Sequence, residues 1–153
     1  MSPRPEARAR EAADTSREVF DYALLRVVPR PERDETINAG VLLWCRGRSW
    51  LGARVHLDEN RLLALDPGAD VTGVRAALRA AEELCRGGAA AGQAAAEDPG
   101  RRFRWLTAPR STVVRPGPVH SGLTRDPEAE LERLLRLLVH PVTPPGEEPP
   151  DAG

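Results

Sequence analysis

INAGVLLWCRGRSWLGARVH, residues 37–56, decides how the chain folds. Two runs of aliphatic, β-branched and aromatic residues flank Arg46-Gly47-Arg48-Ser49, a connection short enough for a hairpin. Strands are therefore predicted over Ile37–Arg46 and Trp50–His56, paired antiparallel. Upstream, FDYALLRVVP (Phe20–Pro29) has the same character and predicts a further strand. The charged stretch Arg30–Thr36 between them reads as an exposed loop, its start kept extended by Pro29 and Pro31.

Simple alternation along these strands separates two faces. Ala23, Leu25, Val27, Ile37, Ala39, Val41, Leu43, Cys45, Leu51, Ala53 and Val55 fall together, and all are apolar, so this is the expected core face. The other face takes Tyr22, Leu24, Arg26, Val28, Asn38, Gly40, Leu42, Trp44, Arg46, Trp50, Gly52, Arg54 and His56, a mixture of aromatic, aliphatic and basic residues with two glycines. Two readings of it stand: a solvent face with arginine stems lying over apolar neighbours, or a binding platform.

Helices are expected to cover the core face. Asp58 can cap a short helix to Leu65, closed by Asp66-Pro67-Gly68, and Asp70 a longer one to Arg86, closed by Gly87-Gly88. In the longer helix Val71, Val74, Leu78, Ala81 and Cys85 recur at spacings of three and four, which aligns them on one side. A final helix begins at Asp126-Pro127, with Leu131, Leu134, Leu135 and Leu138 as its buried stripe. Residues 89–100 are rich in Ala and Gly and read as a loop; Phe103, Leu106 and Trp105 suggest a helical turn, and Ser111–Arg115 a fourth strand. The expected architecture is a single α+β domain over residues 18–140, an antiparallel sheet of about four strands with helices packed on one face. Residues 1–17 and 141–153 are rich in Pro, Ala and charge with little to bury, and are expected to be disordered tails.

Composition limits the possible functions. All 22 basic residues are arginine, set against 23 acidic ones for a net charge of −1, so no global positive field exists to hold a polyanion. The amino terminus lacks the apolar core of a secretory signal, and no apolar run approaches the length of a membrane span, so a soluble cytoplasmic protein is expected. Cys45 and Cys85 sit among apolar neighbours and read as buried free thiols; three scattered histidines and two cysteines do not make a metal site. No phosphate-binding glycine loop, nucleophile elbow or zinc-protease motif occurs, and His120-Ser121 is read as a loop pair rather than a base and nucleophile. No cofactor is called for, and an enzyme with ordinary acid–base machinery is disfavoured.

What remains is RFRWLTAPRSTVVRPGPVHSGL, residues 102–123, with four arginines, a tryptophan and adjacent hydroxyls around short apolar runs. Arg104, Arg110, Ser111, Thr112 and Arg115 put guanidinium forks, hydroxyls and backbone N–H groups into one short segment, which suits phosphate or carboxylate if that strand joins the sheet beside Arg26 or Arg54, unless these arginines simply pair with nearby acids. With Arg26 and Arg54 on the neighbouring sheet, and Asn38 and His120, they are the candidate partner- or ligand-binding residues.

Four blocks carry a family resemblance: YALLRVVPRPERDETINAGVLLWCR (Tyr22–Arg46), LGARV (Leu51–Val55), RFRWLTAPRSTVV (Arg102–Val114) and PVHSGLTRDPEAELERLL (Pro118–Leu135). Together they resemble an uncharacterised bacterial family, domain of unknown function 3037, departing from its pattern at Asp34, where a glycine is common. The resemblance implies no activity. It implies a small accessory protein encoded beside HipA-like kinases. The leading expectation is a non-enzymatic protein-interaction or regulatory module whose mixed sheet face and 102–123 segment dock a partner, such a kinase being the one the resemblance suggests. The alternative is a domain binding a phosphorylated or nucleotide-like anion. A partner surface should be broad and partly apolar, a ligand site concave with converging arginines.

Overall fold

A computed structural model describes residues 16–87, 98–110 and 112–146. Five strands form one sheet: β1 (Glu18–Val27), β2 (Ile37–Cys45), β3 (Trp50–Val55), β4 (Val114–Pro116) and β5 (His120–Thr124). Four helices join them: α1 (Glu59–Leu65), α2 (Val71–Arg86), α3 (Pro99–Leu106) and α4 (Pro127–Leu138). The predicted α+β class with an antiparallel sheet holds. Of the expected tails, residues 1–15 and 147–153 lie outside the described residues.

Local chemistry explains the helix limits. Each helix opens on an aspartate whose carboxylate accepts a backbone N–H one turn in: Asp58 from Arg61, Asp70 from Gly73, Asp98 from Arg101, and Asp126 from Glu128 and Ala129. Pro99 and Pro127 stand in the first turns of α3 and α4, where the missing N–H costs nothing. α2 ends at Gly87, whose φ of 69° is the left-handed conformation that closes a helix. Asp34 also adopts a positive φ, 53°, in the turn before β2. A glycine would meet that requirement without strain. The helical turn expected around Phe103 is a full helix reaching back to the Asp98 cap, so residues 98–100 are not loop.

β2 lies between β3 and β1, and the far edge of β1 is shared end to end by β5, opposite Glu18–Tyr22, and β4, opposite Leu25–Val27. The strand expected at Ser111–Arg115 forms later, at Val114–Pro116, and β5 adds one the sequence reading did not contain. Both are short and flank Pro116-Gly117-Pro118, so neither shows a sustained alternation.

The expectation that helices pack on one face is corrected: both faces are covered. Leu25, Val27, Ile37, Ala39, Leu42 and Ala53 pack under α1, α2 and α3 with Leu62, Val74, Leu78 and Phe103. Phe20, Val41, Leu43 and Cys45 pack under α4 with Leu131, Leu134 and Leu135. The cause is a β-bulge. Leu25 pairs with Gly40 but the next residue, Arg26, pairs with Asn38, leaving Ala39 as the extra residue of β2. Beyond it the alternation of β2 is inverted relative to its start. Val41, Leu43 and Cys45 therefore pass to the face under α4, while Leu42 and Trp44 pass to the three-helix face. Leu42 and Leu43, adjacent in sequence, are both 0% exposed in different cores.

Candidate functional site

The arginine-rich segment does not converge on one point. Arg104 is exposed in the last turn of α3. Arg110, in the following loop, lies 3.9 Å above the Trp105 ring and donates to the Trp105 carbonyl, so its fork is engaged locally. Thr112 Oγ1 donates to the Val114 carbonyl at 2.7 Å, and Arg115 Nε donates to the Thr112 carbonyl at 2.7 Å, which ties the approach to β4 to itself. Ser111 lies outside the described residues. The converging ligand cluster expected from residues 104–112 is not formed.

Four other candidates share the α4 face, and two of them serve the helix. Arg54 Nε donates to Glu132 at 2.7 Å, with Glu128 at 3.8 Å, and Asn38 Nδ2 donates to the Leu138 carbonyl at 3.0 Å. The first pins the side of α4 and the second satisfies a carbonyl at its C-terminus. The remaining two stand on the β1 side of that face. His120 pairs with Tyr22 across β5 and β1, their ring centroids 5.3 Å apart. Arg26 pairs with Arg115 across β1 and β4 and has no hydrogen-bond or ion-pair partner among the described residues.

A different surface lies on the three-helix face, where α3 stops short of the β5 edge. There a hollow of about 740 Å³ is lined by Val19 and Asp21 of β1, Trp44, Arg46, Phe103, Arg104 and Val119. Beside it Val19 and Leu123 are cross-strand partners, 58% and 59% exposed, with Val119 47% exposed. Paired valine and leucine on a solvent-facing sheet surface form an apolar patch, not scattered side chains. Its charges are unevenly used. Asp21 accepts the Ser121 hydroxyl, and Asp98 caps α3 and meets Arg101 at 3.6 Å. Arg46 and Arg104 find no acidic partner among the described residues.

Sequence reasoning placed Trp44 and Arg46 on a mixed sheet face expected to dock a partner together with the 102–123 segment, but it did not place Val19 or Asp21 on this surface. Val19 falls one residue before the predicted first strand, Val119 immediately precedes β5, and Leu123 lies within that short strand, which the sequence reading did not contain. The alternation Val19, Asp21, Ala23 was the available signal.

A family model described as "Protein of unknown function (DUF3037)" matches residues 22–139. The chain belongs to this family. The region matched to the DUF3037 family runs from Tyr22 of β1 to Val139 just past α4, so it takes in all four helices, both cores and most of the exposed patch. No curated protein and no solved structure matches the chain.

Both thiols are buried and free; burial raises the Cys45 pKa, and pushes that of Cys85 up to about 12 despite the opposing charge of Arg102. At ordinary pH neither is a thiolate, so neither is a nucleophile. The nearest approach of two imidazoles is His56 against His140, with centroids 4.3 Å apart where β3 ends and α4 has just ended. Burial, His56 and Arg136 lower the His140 pKa, with Glu132 opposing. No group of three His, Cys, Asp or Glu side chains among the described residues could hold a metal ion, and none of the described helices is long and apolar enough to cross a membrane.

Proposed function

We propose that this protein is a non-enzymatic interaction module that docks a protein partner on the open end of its three-helix face, beside β5. The observation that carries this reading is the exposed Val19–Leu123 pair, continued by Val119 into the hollow over Trp44 and Phe103. Apolar surface on an uncovered sheet face stabilises a complex when it is withdrawn from water. The uneven use of charge refines the partner. Because Asp21 and Asp98 are engaged within the chain while Arg46 and Arg104 are not, a segment carrying apolar side chains flanked by carboxylates is the complementary surface.

A HipA-like kinase is the first partner to test, with the untagged native cell extract as the second source. Leu123→Asp and Arg104→Glu alter exposed side chains, so their melting temperatures should stay close to that of the native chain. Leu123→Asp should abolish co-purification of the partner, and Arg104→Glu should weaken it in a salt-dependent manner. Undiminished capture by Leu123→Asp would remove this surface from the interaction.

A further inference from the structure

The outer strands of the sheet are finished differently. An uncovered edge offers a row of backbone N–H and C=O groups to any extended chain, and proteins usually guard it with a charge or a proline. On β3 the His56 N–H bonds the Ala39 carbonyl, so alternation turns Leu51, Ala53 and Val55 outward. That edge is closed at its middle, where the Ala53 carbonyl accepts Arg54 Nη1 at 3.3 Å and Ala53 is buried. β4 is three residues long and ends on Pro116. β5 has neither guard: His120–Thr124 contains no proline and no basic residue, and His120, Ser121 and Leu123 are exposed.

Which backbone groups of β5 are free follows from β1. The Gly117 N–H donates to the Leu24 carbonyl at 2.7 Å, so Leu24 directs its backbone groups to the β4–β5 side, and alternation gives Tyr22 and Phe20 the same direction. Their partners His120 and Gly122 therefore turn toward β1, and Ser121 and Leu123 turn their N–H and C=O outward. No described residue bonds those outward groups. The side chains of the same two residues lie on the three-helix face, where Ser121 Oγ donates to Asp21 and Leu123 stands beside Val19. Free backbone groups and exposed apolar surface thus coincide in one strand.

We propose that the partner docks by adding an extended segment to β5 as a further strand of the sheet, an inference that rests on the docking surface described above. Ser121 and Leu123 exchange N–H and C=O with the added strand, and its alternate side chains, apolar ones, fall beside Leu123 and Val119. A flanking carboxylate complements Arg46 and Arg104 of the hollow. Pro118 before β5 and Pro127 after it limit the paired length. A second copy of this chain is the poorer occupant: it would bring a further Arg46 and Arg104, while its Asp21 and Asp98 are engaged within it.

The test is fluorescence anisotropy of a labelled synthetic peptide, Glu-Val-Thr-Val-Thr-Val-Glu, titrated with the full-length protein. Saturable binding is expected. Ser121→Pro should weaken it about tenfold or more, the scale of a backbone hydrogen bond lost at an otherwise paired position. Ser121→Ala keeps the N–H and loses only the bond to Asp21, so it should bind as the native chain does. Because the Ser121 N–H faces away from β1, the two variants should melt at similar temperatures. Methylating the peptide nitrogens one at a time gives a second readout that needs no variant to fold: binding should be lost at every other position. No saturable binding, equal affinity of Ser121→Pro and Ser121→Ala, or a methylation profile without alternation would each overturn strand addition. So would a dimer of the chain that excludes the peptide. Partner capture lost in Leu123→Asp but undiminished in Ser121→Pro would remove strand addition and leave the docking surface, whereas capture undiminished in Leu123→Asp removes the surface itself.

Discussion

One face of the sheet is shared by α1, α2 and α3, and among the described residues the other rests on α4 alone. The shared face distributes its apolar side chains over three short helices and leaves an opening at the β5 edge, where Val19 and Leu123 remain exposed. The α4 face has a smaller core, and its helix is fastened by polar contacts as well: Arg54 to Glu132 on its flank and Asn38 to its last turn. A single helix needs side attachments because its apolar stripe alone fixes its position along the sheet only loosely. Three helices wedge one another. The cost of that arrangement is a place where none of them reaches, and the proposed docking surface lies there.

The most demanding test of two separate cores is a pair of double-mutant cycles. Leu42→Ala and Leu43→Ala should each cost about 2–5 kcal/mol in denaturant unfolding, the range for emptying a close-packed leucine site. Leu42→Ala should then couple with Leu78→Ala, its neighbour under the helices, and add simply with Leu131→Ala across the sheet. Coupling of Leu42 with Leu131 instead would mean one continuous core and would refute the bulge-driven inversion of β2.

Smaller effects distinguish the helices. Gly87→Ala should destabilise by about 1–2 kcal/mol for a left-handed residue with a β-carbon, and the guanidinium of Arg102, which lies against Gly87, must also move. Uncapping α4 with Asp126→Ala should cost about 1 kcal/mol. Because α4 is the sole cover of its face among the described residues, amide exchange should rise across Phe20, Leu43 and Leu131 together. The same change at Asp98 should affect α3 alone.

The seam between the two coverings should respond weakly to acid. His140, past the end of α4, stacks on His56, which also lines a hollow with Arg79 and Glu82 of α2. The His140 pKa is depressed below 6.5, so the folded chain binds fewer protons than the unfolded one between the two values. Stability from this site is therefore present above pH 6.5 and is lost as the pH falls through 6.5 to the folded pKa. His140→Gln should flatten the slope of melting temperature against pH in that window. The smallest effect is expected from Arg54→Gln, about 1 kcal/mol or less, because the ion pair with Glu132 is partly exposed at both ends.

Much of the fold was legible in the sequence, and for a definite reason. The caps at Asp58, Asp70 and Asp126, the glycine stop at Gly87 and the β2–β3 hairpin depend on contacts within a few residues, and all stand where local chemistry puts them. The burial of Cys45 and Cys85 likewise follows from their apolar neighbours. The candidate residues fared differently. Arg104, Arg110 and Thr112 are close in sequence yet turn to separate local contacts, whereas Arg26 and Arg115, distant in sequence, stand opposite each other.

The sequence by itself thus determined α1, α2 and α4, the hairpin and the family. These follow from hydrogen bonds and periodicities that close within one or two turns, or from side-chain types that need no register. Only the tertiary structure decided which face each β2 residue occupies and which arginines are cross-strand partners. Ala39 is no different in kind from its neighbours, and both faces of β2 are apolar, so nothing in the order of residues marks a bulge. Register is set by the partner strand: β1 steps from Gly40 to Asn38, and that one omitted residue puts Leu43 rather than Leu42 in the core under α4.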